Sequence, residues 1–140
     1  MLDLAQRMVR GETPPPPVAR TIGFTLESVE PGSAVISFVA DENRHANPMG
    51  TLHGGILCDI ADAAMGLAFA ASLDEGESFT TIELKMSFFR AIQNGRLTAT
   101  SRVVHAGRSI GFLECDVVDD RAQLIARASS TCVRLRTAAR

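Results

Sequence analysis

The sequence predicts an α+β domain in which an antiparallel sheet of about five or six strands curls around one long buried helix. Three observations carry this. Residues 54–72 are rich in Ala, Leu and Met, with Asp59 and Asp62 as their only carboxylates. That stretch is too long for a strand and apolar nearly all round, so it reads as a helix of about 27 Å that protein must cover. Strand-like segments stand before and after it, joined by short turns, the pattern of antiparallel neighbours. The whole chain has 140 residues, the size of one domain with one core.

In order, residues 1–10 read as a short amphipathic helix with Leu4, Met8 and Met1 on one side and Gly11 as its stop. The four prolines from Pro14 to Pro17 favour an extended, stiff spacer. Residues 1–20 are thus a helix and proline-rich spacer, and 21–140 the domain proper. Segments 24–30 and 34–39 are strands separated by the turn pair Pro31-Gly32, and 41–50 is a polar loop. After the long helix, 79–89 alternates Ile82, Leu84, Met86 and Phe88 against Glu83, Lys85 and Ser87. Asn94-Gly95 is a hairpin signal leading into 96–105, and turns at Gly107-Arg108 and Asp119-Asp120 lead into 110–118 and 123–136. The last four strands therefore read as a meander, with Arg134, Arg136 and Arg140 on an exposed strand face.

Composition narrows the function. The net charge is −2, so no basic field exists to hold nucleic acid or anionic lipid. All seven aromatic residues are Phe, a poor supply of stacking platforms for single strands. Thirteen of the fourteen basic residues are Arg, which suits a small phosphate site. Cys58, Cys115 and Cys132 are odd in number and far apart, so core thiols are expected, with no disulfide framework and no metal site. No run reaches the roughly 18 apolar residues of a membrane span, and Asp3, Arg7 and Arg10 interrupt any leader-like stretch. A soluble cytoplasmic protein without nucleic-acid or membrane partners is the expectation.

Two features bear on chemistry. Asp59 and Asp62 are three apart and share a face of a helix that must be covered. Either that face reaches solvent or a subunit boundary, or one carboxylate is a base or nucleophile poised in a pocket. Second, the run from His45 through Asn47, His53, Gly54 and Gly55 enters the helix. Backbone N–H groups at a helix N-terminus are unpaired and partly positive, and glycine leaves them open to an approaching carbonyl. The alternative is that the glycines only relieve crowding.

Together, Asn47, the string His53-Gly54-Gly55, and Asp62 in its Ile60-Ala61-Asp62 context resemble the hotdog-fold acyl-CoA thioesterases of the phenylacetate-degradation branch. The resemblance spans about residues 21–136. It implies a sheet wrapped around the helix, subunits placed side by side, and active sites at the boundary of a homodimer or a dimer of dimers. It further implies that Asp62 attacks the thioester or activates water, and that the Gly54 N–H polarises its carbonyl. His53 and Asn47 orient the thioester and the donor loop, and Thr81, or its neighbour Thr80, places the water. Gly107, Arg108 and Ser109, with Arg90, are implied at the coenzyme A end of the substrate. No cofactor is implied beyond coenzyme A itself, which is part of the substrate. Asp59 is not part of the pattern. Rival readings are an acyl-CoA-binding module without catalysis and a hotdog dehydratase or hydratase using His53 and Asp62.

Overall fold

The computed structural model describes residues 1–136, so Arg140 lies outside the described residues. The chain begins with helix α1 (Leu2–Val9), whose buried side is set by Ala5 with Leu2 and Met8 beside it, while Leu4 turns outward. The proline run ends one residue sooner than expected. Pro17 opens a second helix, α2 (Pro17–Ile22), where its missing N–H costs nothing at the first turn. Gly23 closes α2 in the left-handed conformation (φ 95°), its N–H bonding Ala19 O.

Strands β1 (Phe24–Glu30) and β2 (Ser33–Ala40) form the first hairpin, and a single-turn helix α3 (Glu42–His45) interrupts the expected loop. The long helix α4 (Gly54–Ala70) follows, then β3 (Glu77–Phe88), β4 (Gly95–Ala106), β5 (Ile110–Asp119) and β6 (Leu124–Arg136). All six strands form one antiparallel sheet in the order β1-β2-β4-β5-β6-β3. The sheet lies against α4, whose residues Ile60, Ala61, Ala64, Met65, Ala68 and Phe69 are completely buried. Small side chains let the helix sit close. Buried Ser101 of β4 donates to the Ala64 carbonyl at 2.8 Å, and Gly111 of β5 leaves room for the Phe69 ring. No helix among the described residues is long and apolar enough to cross a membrane.

Two sequence expectations are corrected. The last four strands are not a continuous meander: β3 pairs with β6, while β4 joins β2 and β5. Asn94 accepts a hydrogen bond from Glu42 N–H at 2.9 Å instead of turning a hairpin. A two-residue turn signal is outweighed by the eight-pair ladder of β4 with β2, which buries Leu97, Ala99 and Ser101. The alternation in β3 also breaks. A bulge between Thr81 and Glu83 leaves Ile82 58% exposed, while Leu84 and Met86 keep their inward direction; Phe88, at the strand's end, is 54% exposed. β3 is consequently a sheet edge carrying exposed apolar side chains.

Candidate active site

The entry to α4 is built by the two residues whose spacing singled them out. His53 is the N-cap: its Nδ1 accepts the Gly55 N–H at 2.9 Å, and its carbonyl accepts from Ile56. With Nδ1 an acceptor, the proton of the neutral ring sits on Nε2. Asn47 folds the preceding loop on itself, its Oδ1 accepting from Met49 N and Thr51 N and its Nδ2 donating to Thr51 Oγ1 at 2.9 Å. The Gly54 N–H is thereby presented as the first of the donors that a helix cannot satisfy internally. Phe88 lies across this glycine: a Cβ at Gly54 would stand 3.0 Å from the ring's Cζ. Asn47, Thr51, Gly54, Phe88 and Arg90 line one recess of about 370 Å³ at this end of the molecule.

Two turns along the helix, half-buried Asp62 accepts a hydrogen bond from Thr81 Oγ1 at 3.1 Å. Thr81, not the exposed Thr80, faces the helix, because the β3 bulge follows it. Cys132 Sγ lies 3.8 Å from the same hydroxyl. Asp59, one turn earlier, is exposed; partial burial first, and the Asp62 charge second, hold its carboxyl above the ordinary range. The same causes, burial before the two carboxylates, push the Cys58 thiol up, so it is no ready thiolate nucleophile. Among the described residues no three His, Cys, Asp or Glu side chains converge as a metal site would need.

Asp62 and Thr81 stand at a second cavity, also of about 370 Å³, formed by the face of α4 turned away from the sheet. Ala63, Gly66 and Leu67 make its floor and Phe24 and Phe79 its sides. Phe79 fits because Gly66 has no side chain; a Cβ there would be 3.2 Å from the ring. The residues of the N-terminal segment on this cavity, among them Met8, escaped the sequence reading. The only available signal was the apolar side of α1, which did not say what it covers.

Within one chain these parts do not meet. Gly54 and Asp62 are eight residues apart on α4, about 12 Å along its axis, too far for one carbonyl to touch both. Nor do the expected coenzyme A residues cluster. Arg90 N–H bonds Ile125 O near the start of β6, whereas Ser109 O accepts from Arg134 near its end. Nine strand residues, roughly 30 Å, separate them. Arg134 is itself a correction. It is no free surface charge: its side chain is 15% exposed, Nη1 donates to Glu77 at 2.8 Å, and the guanidinium lies 5.6 Å from the Phe69 ring centre. A neighbouring carboxylate and an aromatic face draw it in. Arg136, 67% exposed, remains on the surface.

Known proteins resemble this chain in sequence and fold. A family model described as thioesterase superfamily matches residues 49–126. The chain is 32% identical over 105 residues to the 1,4-dihydroxy-2-naphthoyl-CoA hydrolase of Listeria monocytogenes serotype 1/2a (strain 10403S), covering 75% of this chain and 85% of that one. It is 27% identical over 129 residues to the medium/long-chain acyl-CoA thioesterase YigI of Escherichia coli (strain K12), covering 82% and 83%. Among solved structures, a phenylacetic acid degradation-related protein from Ralstonia eutropha JMP134 superposes with a TM-score of 0.82 at 34% identity, covering 92% of this chain and 98% of that one.

Proposed function

This chain belongs to the thioesterase superfamily and has its hotdog fold, and from that premise we propose that it hydrolyses an acyl-CoA thioester to a carboxylic acid and coenzyme A. The observation that carries the proposal is Asp62, a carboxylate set by Thr81 in the wall of a largely apolar cavity. A thioester carbonyl is already activated and its thiolate leaves readily, so a base and an oxyanion donor suffice. Water attacks the carbonyl carbon while Asp62 takes its proton; the carbonyl oxygen gathers negative charge against the Gly54 N–H; the C–S bond then breaks, and the thiolate takes up a proton. In the alternative order Asp62 itself attacks and water cleaves the resulting anhydride. Single-turnover hydrolysis in H₂¹⁸O separates the two, since only a nucleophilic Asp62 acquires the label.

The 12 Å gap between Asp62 and Gly54 is closed in this reading by a second copy of the chain. Thr81 lies beside Asp62 and Phe88 over Gly54, so β3 runs antiparallel to α4. If the open β3 edge pairs antiparallel with itself about residues 84–85, Thr81 of one copy stands opposite Phe88 of the other. Asp62 then faces the second copy's Gly54. The same pairing satisfies the edge and covers Ile82 and Phe88. It also brings the Gly107-Arg108-Ser109 turn of one copy within about three strand spacings, roughly 14 Å, of the other's Arg90, a span that a phosphate-bearing nucleotide can bridge. His53 and Asn47 act by holding the donor loop.

The test is release of free thiol from a panel of acyl-CoAs, with Asp62→Asn alongside. A fall of a hundredfold or more in turnover, with the fold intact by circular dichroism, is expected. Undiminished turnover in the variant removes Asp62 from the mechanism, and no activity across short, long and aryl groups overturns the proposal.

A further inference from the structure

The cavity beside Asp62 has a wall outside the family match, which spans residues 49–126. Met1, Met8 of α1, Pro15 and Pro16 of the linker, and Val18 of α2 close the side opposite the α4 floor. The geometry points to this N-terminal segment as the acyl-length gauge of the enzyme, with Met8 as its central residue and an unsubstituted hydrocarbon acyl chain as the occupant. The inference rests on the hydrolase reading above and names the substrate class of that site.

Three observations support it. First, the lining is apolar: its only polar side chains are Asp62 and Thr81, which bond each other, and Thr25. A hydroxyl or charge on the far part of the acyl chain would lose water and find at most the Thr25 hydroxyl in exchange, a penalty equivalent to about ten- to a hundredfold in kcat/KM. Second, the room is limited. An apolar cavity of about 150 Å³ accommodates one benzene, so 370 Å³ has space for roughly fourteen carbons. Third, α1 is attached by packing. Among the described residues, every hydrogen bond and ion pair of residues 1–12 is made within that segment, as in Arg10–Glu12, Arg7–Glu12 and Glu12 N–Arg7 O. It is held to β1 by apolar contacts alone, through Ala5, Leu2 and Met8. α2 is tied locally as well: Ala19 is buried as Ala5 is, and Arg20 donates to the adjoining linker at Pro15 O, 2.7 Å away. The side of the cavity bounded by α1 is therefore one that side-chain size can alter without breaking a polar contact.

The experiment is a chain-length profile of kcat/KM on saturated acyl-CoAs from butanoyl to octadecanoyl. It uses the full chain and its Met8→Trp and Met8→Ala variants, with 14-hydroxytetradecanoyl-CoA as the polar probe. The wild type is expected to rise toward decanoyl to tetradecanoyl and fall at octadecanoyl. Met8→Trp lowers the ratio of the tetradecanoyl to the butanoyl value tenfold or more, and Met8→Ala raises the ratio of the octadecanoyl to the butanoyl value severalfold. The hydroxylated chain is hydrolysed ten- to a hundredfold less efficiently than its parent. Calorimetric binding of tetradecanoyl-CoA to Asp62→Asn, with and without Met8→Trp, reads the cavity without turnover. Superimposable profiles and unchanged binding in the Met8 variants of an active hydrolase overturn the inference and leave the hydrolase reading standing. Binding weakened tenfold by Met8→Trp in a protein that cleaves no acyl-CoA sustains the cavity assignment and refutes hydrolysis.

Discussion

Replacing Gly54 by proline removes the backbone N–H from the proposed site and puts a ring carbon in its place. Gly54 is the first residue of α4, where a proline's absent N–H breaks no intrahelical bond. His53, the residue before it, is already extended (φ −63°, ψ 130°), as a residue preceding proline must be. The His53 Nδ1 bond to Gly55 N–H is untouched. The added Cβ meets Phe88 at 3.0 and 3.1 Å, tighter than ordinary contact. Gly54→Ala makes the same Cβ contact and keeps the donor, so it isolates that contact from loss of the N–H. Loss of a single oxyanion donor costs about a hundred- to a thousandfold in kcat. Gly54→Pro should therefore lose that much in kcat/KM for an acyl-CoA, while Gly54→Ala stays within about tenfold and both melt near the wild type. The assay is thiol release under steady state, with thermal melts as the folding control. A well-folded Gly54→Pro retaining kcat/KM within a few-fold of Gly54→Ala would refute the role given to this N–H.

Two further predictions concern the helix and its bed. A Cβ at Gly111 would lie 2.3 Å from Phe69 Cε2, and Phe69 is fully buried with its ring edge-on to Phe79, so Gly111→Ala should destabilise the fold by about 1–3 kcal/mol. Chemical denaturation showing less than about 0.5 kcal/mol would mean the helix shifts freely on the sheet. Burial and the Asp62 charge raise the Asp59 carboxyl in the folded state, so the unfolded chain ionises it first as pH rises. Its contribution is thus a penalty absent below the unfolded value and complete above the folded one. Melting temperatures of Asp59→Asn minus wild type, followed from pH 3 to 7, should climb with pH; a flat or falling difference contradicts this.

The site and the fold were legible in the sequence to different degrees, for physical reasons. His53, Gly54 and Asp62 lie on or at one helix, whose pitch fixes their relation once the helix is recognised, and the apolar run at residues 54–72 made it recognisable. The partner of β3 was not legible, because alternation reports which face is buried and says nothing of which strand lies alongside. Asn94-Gly95 then favoured the wrong neighbour. The bulge at Ile82 has no residue signature, so Thr80 and Thr81 stayed indistinguishable until β3 was placed against α4. Arg134 looked like surface charge because its company, Glu77 and Phe69, comes from two elements far away in the chain. The start of α2 at Pro17, with Gly23 six residues on, carried a readable cap pair that the proline run obscured.

Whether two chains share each catalytic centre is answered by mixing inactive partners. Asp62→Asn and Gly54→Pro, each nearly inactive alone, are unfolded together and refolded so that subunits reassort. A mixed dimer would hold one centre with both Asp62 and Gly54 intact and one with neither. Half the dimers of an equal mixture are mixed, so thiol release should recover to about a quarter of the wild-type rate. Recovery no greater than the average of the two parents would place both groups in a single chain and contradict the shared centre.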